Sequence, residues 1–385
     1  MGGLVLHSGS TPSPPPYRDD LLSLHKSLVS IPSTTGTEHA VGNFLVDYLA
    51  ARSYTTQQQP LPPLNNTPPG ADRFNVLAWP GPNPDPDPRP RVLITSHIDV
   101  VPPHIPYRID DSGLGPDSRI SGRGSVDAKA SVAAQVVALE QLLAAGEVRP
   151  GDAMLLFVVG EETTGEGMRR FSEGAAPARG FDAVIFGEPT ENKLACGHKG
   201  HAACAIDAVG RAGHSGYPWL GKSANEVLVR ALVRVLDADL GSSDRFGNTT
   251  VNLGVIAGGV AANVIPDRAS ATLALRIAAG DQETGFDIVK GRIEEILKDT
   301  DEEALSMECT NGYGPIECNC DVDGFESIIV NYGTDAANLA GDHVRYLYGP
   351  GDILVAHGDD EALQVRDLEA AVEGYKKLIK HALRA

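Results

Sequence analysis

Hydrophobic and polar residues form two kinds of pattern along this chain, helical periodicity and continuous apolar runs. Residues 17–53 carry two successive helical patterns, broken near Pro32, and an Ala/Val/Leu-rich helix is predicted from residue 129 to about residue 146. Three continuous apolar runs are typical of strands buried on both faces, at residues 92–96, 153–159 and 183–186. Strands that alternate with helices predict an α/β fold with a mostly parallel sheet flanked by helices.

The order of predicted elements changes between residues 194 and 311. Four strands and two helices follow one another there as β-α-β-β-α-β, which is the ferredoxin-like plan. The α/β pattern then returns and ends in an amphipathic helix at residues 361–383. The simplest model is one α/β domain, residues 17–193 plus 312–385, interrupted by an inserted α+β domain at residues 194–311.

Proline-rich segments interrupt the periodic pattern. Residues 1–16 end in TPSPPP and are predicted to form a disordered lead. A Pro/Asn/Gly loop is expected at residues 57–72. Residues 80–90 alternate proline with polar residues, which predicts an exposed excursion.

Length and charge narrow the classes of function. A chain of 385 residues is longer than the roughly 250–300 residues at which single cores stop growing, so two domains are expected. The net charge of −19 makes a nucleic-acid backbone an unfavourable partner. No segment approaches the roughly 20 apolar residues that span a bilayer. We therefore expect neither nucleic acid nor membrane as a partner.

The sequence contains several weak indications of the cellular compartment. Residues 1–10 lack the charged and long apolar regions of an intact signal peptide, while glycosylation sequons at Asn65 and Asn248 slightly favour secretion. We expect a secreted, extracellular protein whose signal has been removed, with a cytoplasmic or vacuolar protein as the alternative. Three closely spaced cysteines either include a disulfide or stay as thiols: Cys309, Cys318 and Cys320.

Five blocks of the sequence carry ionisable residues close to glycine or proline, and three of these blocks follow the predicted buried strands. The ionisable residues are His97, Asp99, Asp127, Glu161, Glu162, Glu188 and His357. In open α/β sheets, ligands bind beyond the carboxyl ends of the strands. Buried charges without partners are costly, so these side chains require a compensating charge. Two divalent cations would provide it, and a mixture of imidazole and carboxylate suits Zn²⁺, with Co²⁺ or Mn²⁺ as substitutes.

The five blocks that contain these residues carry a family resemblance over residues 17–385. The chain resembles the dizinc metallopeptidases and amidohydrolases that include acetylornithine deacetylase, succinyl-diaminopimelate desuccinylase, aminoacylase and glutamate carboxypeptidase. Its segments LHKSLVSIPSTTGTEHAVGNFL and SHIDVVPPHIPY are most similar to the secreted fungal zinc carboxypeptidase-like members. One departure is Ala130, where the family motif usually has glycine after the lysine.

The resemblance implies a role for each of these residues. Asp99 would orient a metal-bound imidazole and Glu161 would be the general base. The metal ligands would be His97 and Glu188 on the first ion, Glu162 and His357 on the second, and Asp127 bridging both. These roles imply two Zn²⁺ ions as cofactors.

The inserted domain contains further matches to the family's lid. By resemblance, His214 in the segment GRAGHSGYP polarises the substrate carbonyl, often from the partner subunit of a dimer. Asn263, in GGVAANVIP, meets the substrate carboxylate. Arg276 is a candidate for the same carboxylate, which a guanidinium group binds with two parallel hydrogen bonds. We therefore expect a lid and dimerisation domain.

Together these features predict a metal-dependent hydrolase. It would cleave N-acyl amino acids or the C-terminal residues of small peptides through a metal-bridging hydroxide, with Glu161 as general base. One alternative is a catalytically silent relative that binds peptides or metals. Another is nucleotide binding, because residues 216–223 satisfy G-x-x-x-x-G-K-S. Pro218 removes an amide donor and Trp219 crowds such a loop, which disfavours nucleotide binding.

Overall fold

The structure is a computed structural model that describes residues 13–81, 90–110, 114–174, 180–310 and 312–384. Most of the predicted lead at residues 1–16 and most of the predicted excursion at residues 80–90 therefore lie outside the described residues. The described helices are α1 (Arg18–Ser30), α2 (His39–Ala50), α3 (Lys129–Ala144), α4 (Glu166–Ser172), α5 (Ala224–Asp237), α6 (Gly285–Asp301) and α7 (Val365–Ala382). None of them is both long and apolar enough to cross a membrane.

Strands occur throughout the described residues. They are β1 (Tyr54–Leu61), β2 (Arg73–Pro80), β3 (Val92–His97), β4 (Arg108–Ile109), β5 (Arg119–Ser121), β6 (Ala153–Val158), β7 (Ala183–Gly187), β8 (Leu194–His198), β9 (Gly200–Val209), β10 (Gly213–His214), β11 (Ser242–Ser243), β12 (Gly247–Asn248), β13 (Thr250–Gly258), β14 (Val264–Ile265), β15 (Arg268–Ile277), β16 (Leu305–Cys309), β17 (Ile316–Glu317), β18 (Ser327–Val330), β19 (Val344–Tyr348) and β20 (Ala362–Gln364).

The chain divides into two compact units. The first contains the chain up to Gly167, Phe181–Asn192 and the chain from Tyr348 onwards. The second contains Met168–Gly180 and Lys193–Leu347. This second unit extends beyond residue 311, the predicted end of the inserted domain. It does so because β17, β18 and β19 all pair with β8.

Three parallel strands form the centre of the sheet in the first unit. β3 pairs in parallel with β6 on one side and with β7 on the other. All the residues of these strands are buried, as the continuous apolar runs predict. The carboxyl ends of the three strands meet at one edge, and the predicted α/β class with a mostly parallel sheet is confirmed.

The edge of this sheet differs from the sequence-based expectation. Residues 57–61, predicted as part of a loop, belong to β1, which pairs antiparallel with β2 over its whole length. The segment YTTQQQPL lacks a hydrophobic alternation because β1 is half exposed. Pro60 is tolerated because an edge strand has one side without a ladder. β2 in turn pairs antiparallel with β6.

Helix α3 packs in the interior of the first unit. Most of its residues are Ala, Val or Leu, and most of them are buried. The helix contacts β3, α1 and α7. At its first residue, the Lys129 ammonium group donates to the carbonyls of Leu28 (2.8 Å) and Ile31 (3.0 Å) at the end of α1. A cation at a helix C-terminus is favourable. This contact holds the start of α3, two residues after Asp127.

The second unit contains a four-stranded antiparallel sheet in the order β13-β15-β9-β16. Together with α5 and α6 it follows the predicted β-α-β-β-α-β order. Its core consists of alternate strand residues and one stripe of each helix, including Ile206, Leu228, Leu273, Val289 and Leu297. The ferredoxin-like plan of the inserted domain is therefore confirmed.

Two disulfides lie within the second unit. Cys204 on β9 is bonded to Cys309, its directly opposite neighbour on β16. Cys196 on β8 is bonded to Cys320, and Cys318 is a buried thiol. The three closely spaced cysteines thus form no disulfide with one another, because two of them pair with cysteines more than 100 residues earlier.

Candidate active site

His97 ends the central strand β3 and is buried at the sheet edge. Its Nδ1 donates to the backbone carbonyl of Asp99 at 3.0 Å, which leaves Nε2 directed at the site. That Nε2 lies 3.0 Å from Asp127 Oδ1 and 3.9 Å from Glu188 Oε1. Burial disfavours a charged ring, yet the hydrogen bond with Asp127 raises the pKa of His97 well above its usual value.

The Asp99 carboxylate holds the neighbouring turn. Its Oδ1 lies 3.6 Å from His97 Nδ1, beyond a good hydrogen bond. It accepts instead from the Thr35 hydroxyl at 2.7 Å and from the amides of Glu161 at 3.2 Å and Glu162 at 3.3 Å. Burial would raise the pKa of Asp99, but His97 and these hydrogen bonds lower it. Thr35 lies in the segment LHKSLVSIPSTTGTEHAVGNFL, but no role is predicted for it from the sequence because it is outside the five blocks of ionisable residues.

Asp127 lies between the two imidazoles. Its Oδ1 faces His97, and its Oδ2 lies 3.3 Å from His357 Nε2. His357 Nε2 also lies 3.0 Å from Glu162 Oε2, and hydrogen bonds with both carboxylates raise the pKa of His357 to about 10. Burial acts to raise the pKa of Asp127, but hydrogen bonds with His357 and His97 lower it. A carboxylate with one oxygen toward each imidazole has the arrangement of a bridging ligand.

Glu188 and the Glu161–Glu162 pair reach the same edge from strands β7 and β6. Glu188 follows Gly187, where a Cβ atom would lie only 2.4 Å from Gln135 Nε2 of α3. The turn after β6 passes through Gly160 at φ +78°, a conformation that glycine adopts without strain. Close packing and this turn together place the three carboxylates next to His97.

The donors fit divalent cations. Ligand atoms lie within 4.8 Å of one another in two sets among the described residues: His97, Glu161 and Glu188, and His97, Asp127 and Glu162. Burial and the charge of Asp127 raise the pKa of Glu162, whose Oε1 is buried without a hydrogen-bond partner. Carboxylates outnumber imidazoles in this largely buried cluster, so added positive charge would stabilise it.

Comparison with known proteins identifies the family. Residues 196–304 match the model of the peptidase dimerisation domain. The chain is 59% identical to a peptidase M20 domain-containing protein of Sordaria macrospora, over 96% of this chain and 86% of that protein. The chain belongs to the M20 peptidase family. It is also 49% identical to a probable carboxypeptidase of Aspergillus oryzae, over 94% of this chain and 87% of that protein.

Solved structures with little sequence identity to this chain share its fold. The crystal structure of a tripeptidase from Staphylococcus aureus superposes with a TM-score of 0.76 at 22% identity, over 96% of this chain and 99% of that chain. The predicted family resemblance is therefore confirmed. In coarse terms, this M20 protein is a metal-dependent peptide hydrolase that carries a peptidase dimerisation domain.

His214 and Asn263 lie on adjacent segments of the second unit of this M20 protein. His214 pairs with Val264 in the β10–β14 ladder, and the Ser215 amide donates to the Asn263 carbonyl at 3.1 Å. His214 Nδ1 accepts from the Gly216 amide at 3.0 Å, so in the neutral ring Nε2 carries the proton. Both His214 and Asn263 are exposed.

Arg276 lies far from that pair along the sheet. It is eight residues beyond Arg268, the first residue of β15, which corresponds to about 26 Å at ~3.3 Å per residue. Its Nη1 lies 3.4 Å from His201 Nδ1 on the adjacent strand β9. The segment that carries Asn263 precedes the opposite end of β15. Of the two predicted carboxylate ligands in this M20 protein, Asn263 thus lies before the start of β15 and Arg276 near the end of that strand.

The G-x-x-x-x-G-K-S segment does not have the geometry of a phosphate-binding loop. Residues Pro218–Leu220 form a 3₁₀ turn, and Trp219 is 71% exposed. The Lys222 ammonium group lies 2.6 Å from Asp301 Oδ2 and is committed to that ion pair. The segment follows the two-residue β10 rather than a buried parallel strand. These observations disfavour nucleotide binding.

Proposed function

We propose that this M20 protein is a zinc-dependent carboxypeptidase that removes C-terminal residues from small peptides. The observation that carries the proposal is the convergence of His97, Asp127, Glu162, Glu188 and His357 near the carboxyl ends of β3, β6 and β7. Of these residues, His97, Asp127 and Glu188 are buried and His357 is half exposed. The similarity to a probable carboxypeptidase supports the choice of reaction. Because the proposed ligands and base Glu161 converge in one cluster, a catalytically silent relative is the weaker candidate.

The proposed roles follow from the positions of the side chains. When bound, Zn²⁺ would lower the pKa of water and polarise the substrate carbonyl. His97 and Glu188 would hold one ion and Glu162 and His357 the other, while Asp127 would bridge them. These contacts use the imidazole Nε2 atoms and the carboxylate oxygens that already face one another.

Glu161 is the proposed proton carrier. Its amide is bonded to Asp99, which restricts the position of its side chain beside His97. In this role its carboxylate accepts a proton from the attacking water and delivers it to the nitrogen of the leaving amine. Glu161 also belongs to a set of possible ligands with His97 and Glu188, so the metal content of a Glu161→Gln variant separates the two roles.

The proposed lid residues support action by two copies of the chain. His214 Nε2–H would donate to the substrate carbonyl oxygen, and Asn263 and Arg276 would bind the free carboxylate. Because Asn263 precedes β15 and Arg276 lies eight residues beyond the first residue of that strand, we infer that one second unit does not bring both to the same small carboxylate. A homodimer in which each site takes residues from both second units resolves this separation.

The proposed location is extracellular. The Cys196–Cys320 and Cys204–Cys309 disulfides support it, because disulfides persist in oxidising compartments. Fractionation of the source cells would test this, since protein confined to the cytosol would contradict secretion. A vacuolar protein is the alternative and would appear in the vacuolar fraction.

The activity is tested with matched peptides. The Zn²⁺-loaded enzyme is incubated with an N-blocked tripeptide that has either a free or an amidated C-terminus, and with N-acetyl amino acids. We expect release of the C-terminal residue from the free peptide only, because the amide lacks the carboxylate that Asn263 and Arg276 would bind. Equal cleavage of the amidated peptide would contradict carboxypeptidase action. Cleavage of only the N-acetyl amino acids would instead indicate a deacylase.

A further inference from the structure

A buried ion pair lies directly behind the proposed metal centre. Arg123 and Glu361 are 2% and 1% exposed, and Arg123 Nη1 lies 2.7 Å from Glu361 Oε2. The other carboxylate oxygen, Oε1, accepts from three backbone amides, those of Gly124 at 2.9 Å, Val126 at 3.0 Å and Asp127 at 3.2 Å. A single oxygen therefore fixes the loop that ends at Asp127.

The guanidinium group of Arg123 reaches a second segment. Its Nη1 donates to the Gly358 carbonyl at 3.0 Å and its Nη2 to the His357 carbonyl at 3.2 Å. His357 has φ +64°, a left-handed conformation that residues other than glycine adopt rarely. The two hydrogen bonds from Arg123 hold this backbone in place. The ion pair thus joins the loop of Asp127 to the turn of His357.

We propose that Arg123 and Glu361 are positioning residues that fix the separation of Asp127 and His357 and thereby the affinity of the metal centre. The inference rests on the proposed function, because it takes Asp127 and His357 as metal ligands. The backbone of Glu361 adds to the same link, since its carbonyl accepts from the Gly122 amide and the Ser125 hydroxyl, both at 3.2 Å. Partners behind metal ligands typically change metal affinity by 10–100-fold when they are replaced.

Two conservative substitutions separate positioning from simple stabilisation. Glu361→Asp keeps the charge, but its shorter side chain cannot reach Arg123 and the three amides together. Arg123→Lys keeps a buried cation beside Glu361 but loses the second nitrogen needed to bridge two carbonyls. The control is Glu369→Gln, which breaks the partly buried Arg18–Glu369 pair between α1 and α7 in the same unit.

The experiment measures Zn²⁺ affinity by competition with a chromophoric chelator, and thermal unfolding of the metal-free proteins by circular dichroism. We expect both site variants to bind Zn²⁺ 10–100-fold more weakly than wild type, with the control unchanged. The loss should fall mainly on the ion held by Glu162 and His357. The Zn²⁺ affinities of the two binding steps should therefore differ more than they do in wild type. Arg123→Lys decides the question if Glu361→Asp does not fold.

Three results have distinct meanings. Folded variants that bind both ions with wild-type affinity, whatever their unfolding temperature, overturn the inference and leave the proposed function intact. An equal loss of affinity in Glu369→Gln also overturns it, because the effect would then follow from destabilisation in general. A wild-type protein that binds no Zn²⁺ contradicts the proposed function itself, and the inference with it.

Discussion

Glu161 and Glu162 are adjacent in sequence, but they have different surroundings. Both amides donate to Asp99, so the turn is held at two points. The Glu162 carboxylate lies 3.0 Å from His357 Nε2 and has one buried oxygen without a hydrogen-bond partner, whereas Glu161 is grouped with His97 and Glu188. We interpret Glu162 as a ligand and Glu161 as the proton carrier.

Glutamine substitutions at these two positions test this difference. Glu161→Gln should retain wild-type Zn²⁺ content while kcat falls by about 10²–10⁴-fold, because only the proton transfer is lost. Glu162→Gln should lose Zn²⁺, because a neutral amide is a weaker ligand. Metal analysis of the purified proteins together with steady-state kinetics measures both. Loss of metal in Glu161→Gln would reassign Glu161 as a ligand.

A second prediction at the residue scale concerns His198, which is fully buried at the end of β8. Its Nδ1 donates to the Lys199 carbonyl at 2.8 Å and its Nε2 lies 3.1 Å from the Thr334 hydroxyl. Burial, aided by the charges of Arg276 and Arg345, lowers the pKa of His198 to about 4. The folded protein thus keeps this imidazole neutral at a pH where the unfolded chain protonates it.

The sign of the pH dependence follows from that lowered pKa. Below the unfolded value near 6.5 the unfolded chain binds a proton that the folded chain does not, so stability falls between about pH 6.5 and pH 4. The contribution of His198 is on the order of 3 kcal/mol over that range. Urea unfolding of His198→Gln and wild type between pH 4 and pH 7 should show a flatter profile for the variant. Parallel profiles would contradict the assignment.

At the scale of elements, the site exists because three parallel strands end together. The Glu161–Glu162 turn, His97 and Glu188 reach one edge at the ends of β6, β3 and β7, and α3 begins two residues after Asp127. The sequence predicts this part well, because strands buried on both faces leave continuous apolar runs. A polar residue at the end of such a run is therefore conspicuous.

Other parts of the site leave no periodic signal. Strand β1 was not predicted, because its half-exposed, glutamine-rich segment forms an edge strand without hydrophobic alternation. Thr35 and Arg123 act through hydrogen bonds across 64 and 238 positions, which spacing along the chain cannot reveal. The disulfide partners likewise depend on strand pairing, since Cys204 and Cys309 become neighbours only when β9 and β16 form a ladder.

At the scale of the whole molecule, the second unit carries an exposed apolar surface. On α5, Val229, Val233 and Leu236 lie on one helical face, and all are about half exposed. The neighbouring strand β13 exposes Val255 and Ile256, and within the described residues it pairs only with β15. An apolar helix face beside an open strand edge is typical of an interaction surface, which fits the dimerisation domain.

Charge substitutions test the proposed homodimer. Val233→Glu combined with Ile256→Lys should convert the protein to a monomer, because each places a charge in an apolar contact. Leu114→Glu, at an exposed apolar residue of the first unit, is the control and should leave the mass unchanged. Light scattering after size-exclusion chromatography gives the mass. A double variant that remains dimeric would rule out this surface as the interface.

The most direct test of the account is the location of Zn²⁺ in crystals of the protein by anomalous diffraction. Two peaks about 3.5–4 Å apart are predicted, both within about 2.0–2.2 Å of an Asp127 oxygen. His97 and Glu188 should complete the first ion's protein ligands, and Glu162 and His357 those of the second. The absence of peaks among these side chains in a fully loaded crystal, or peaks only elsewhere, would contradict the account.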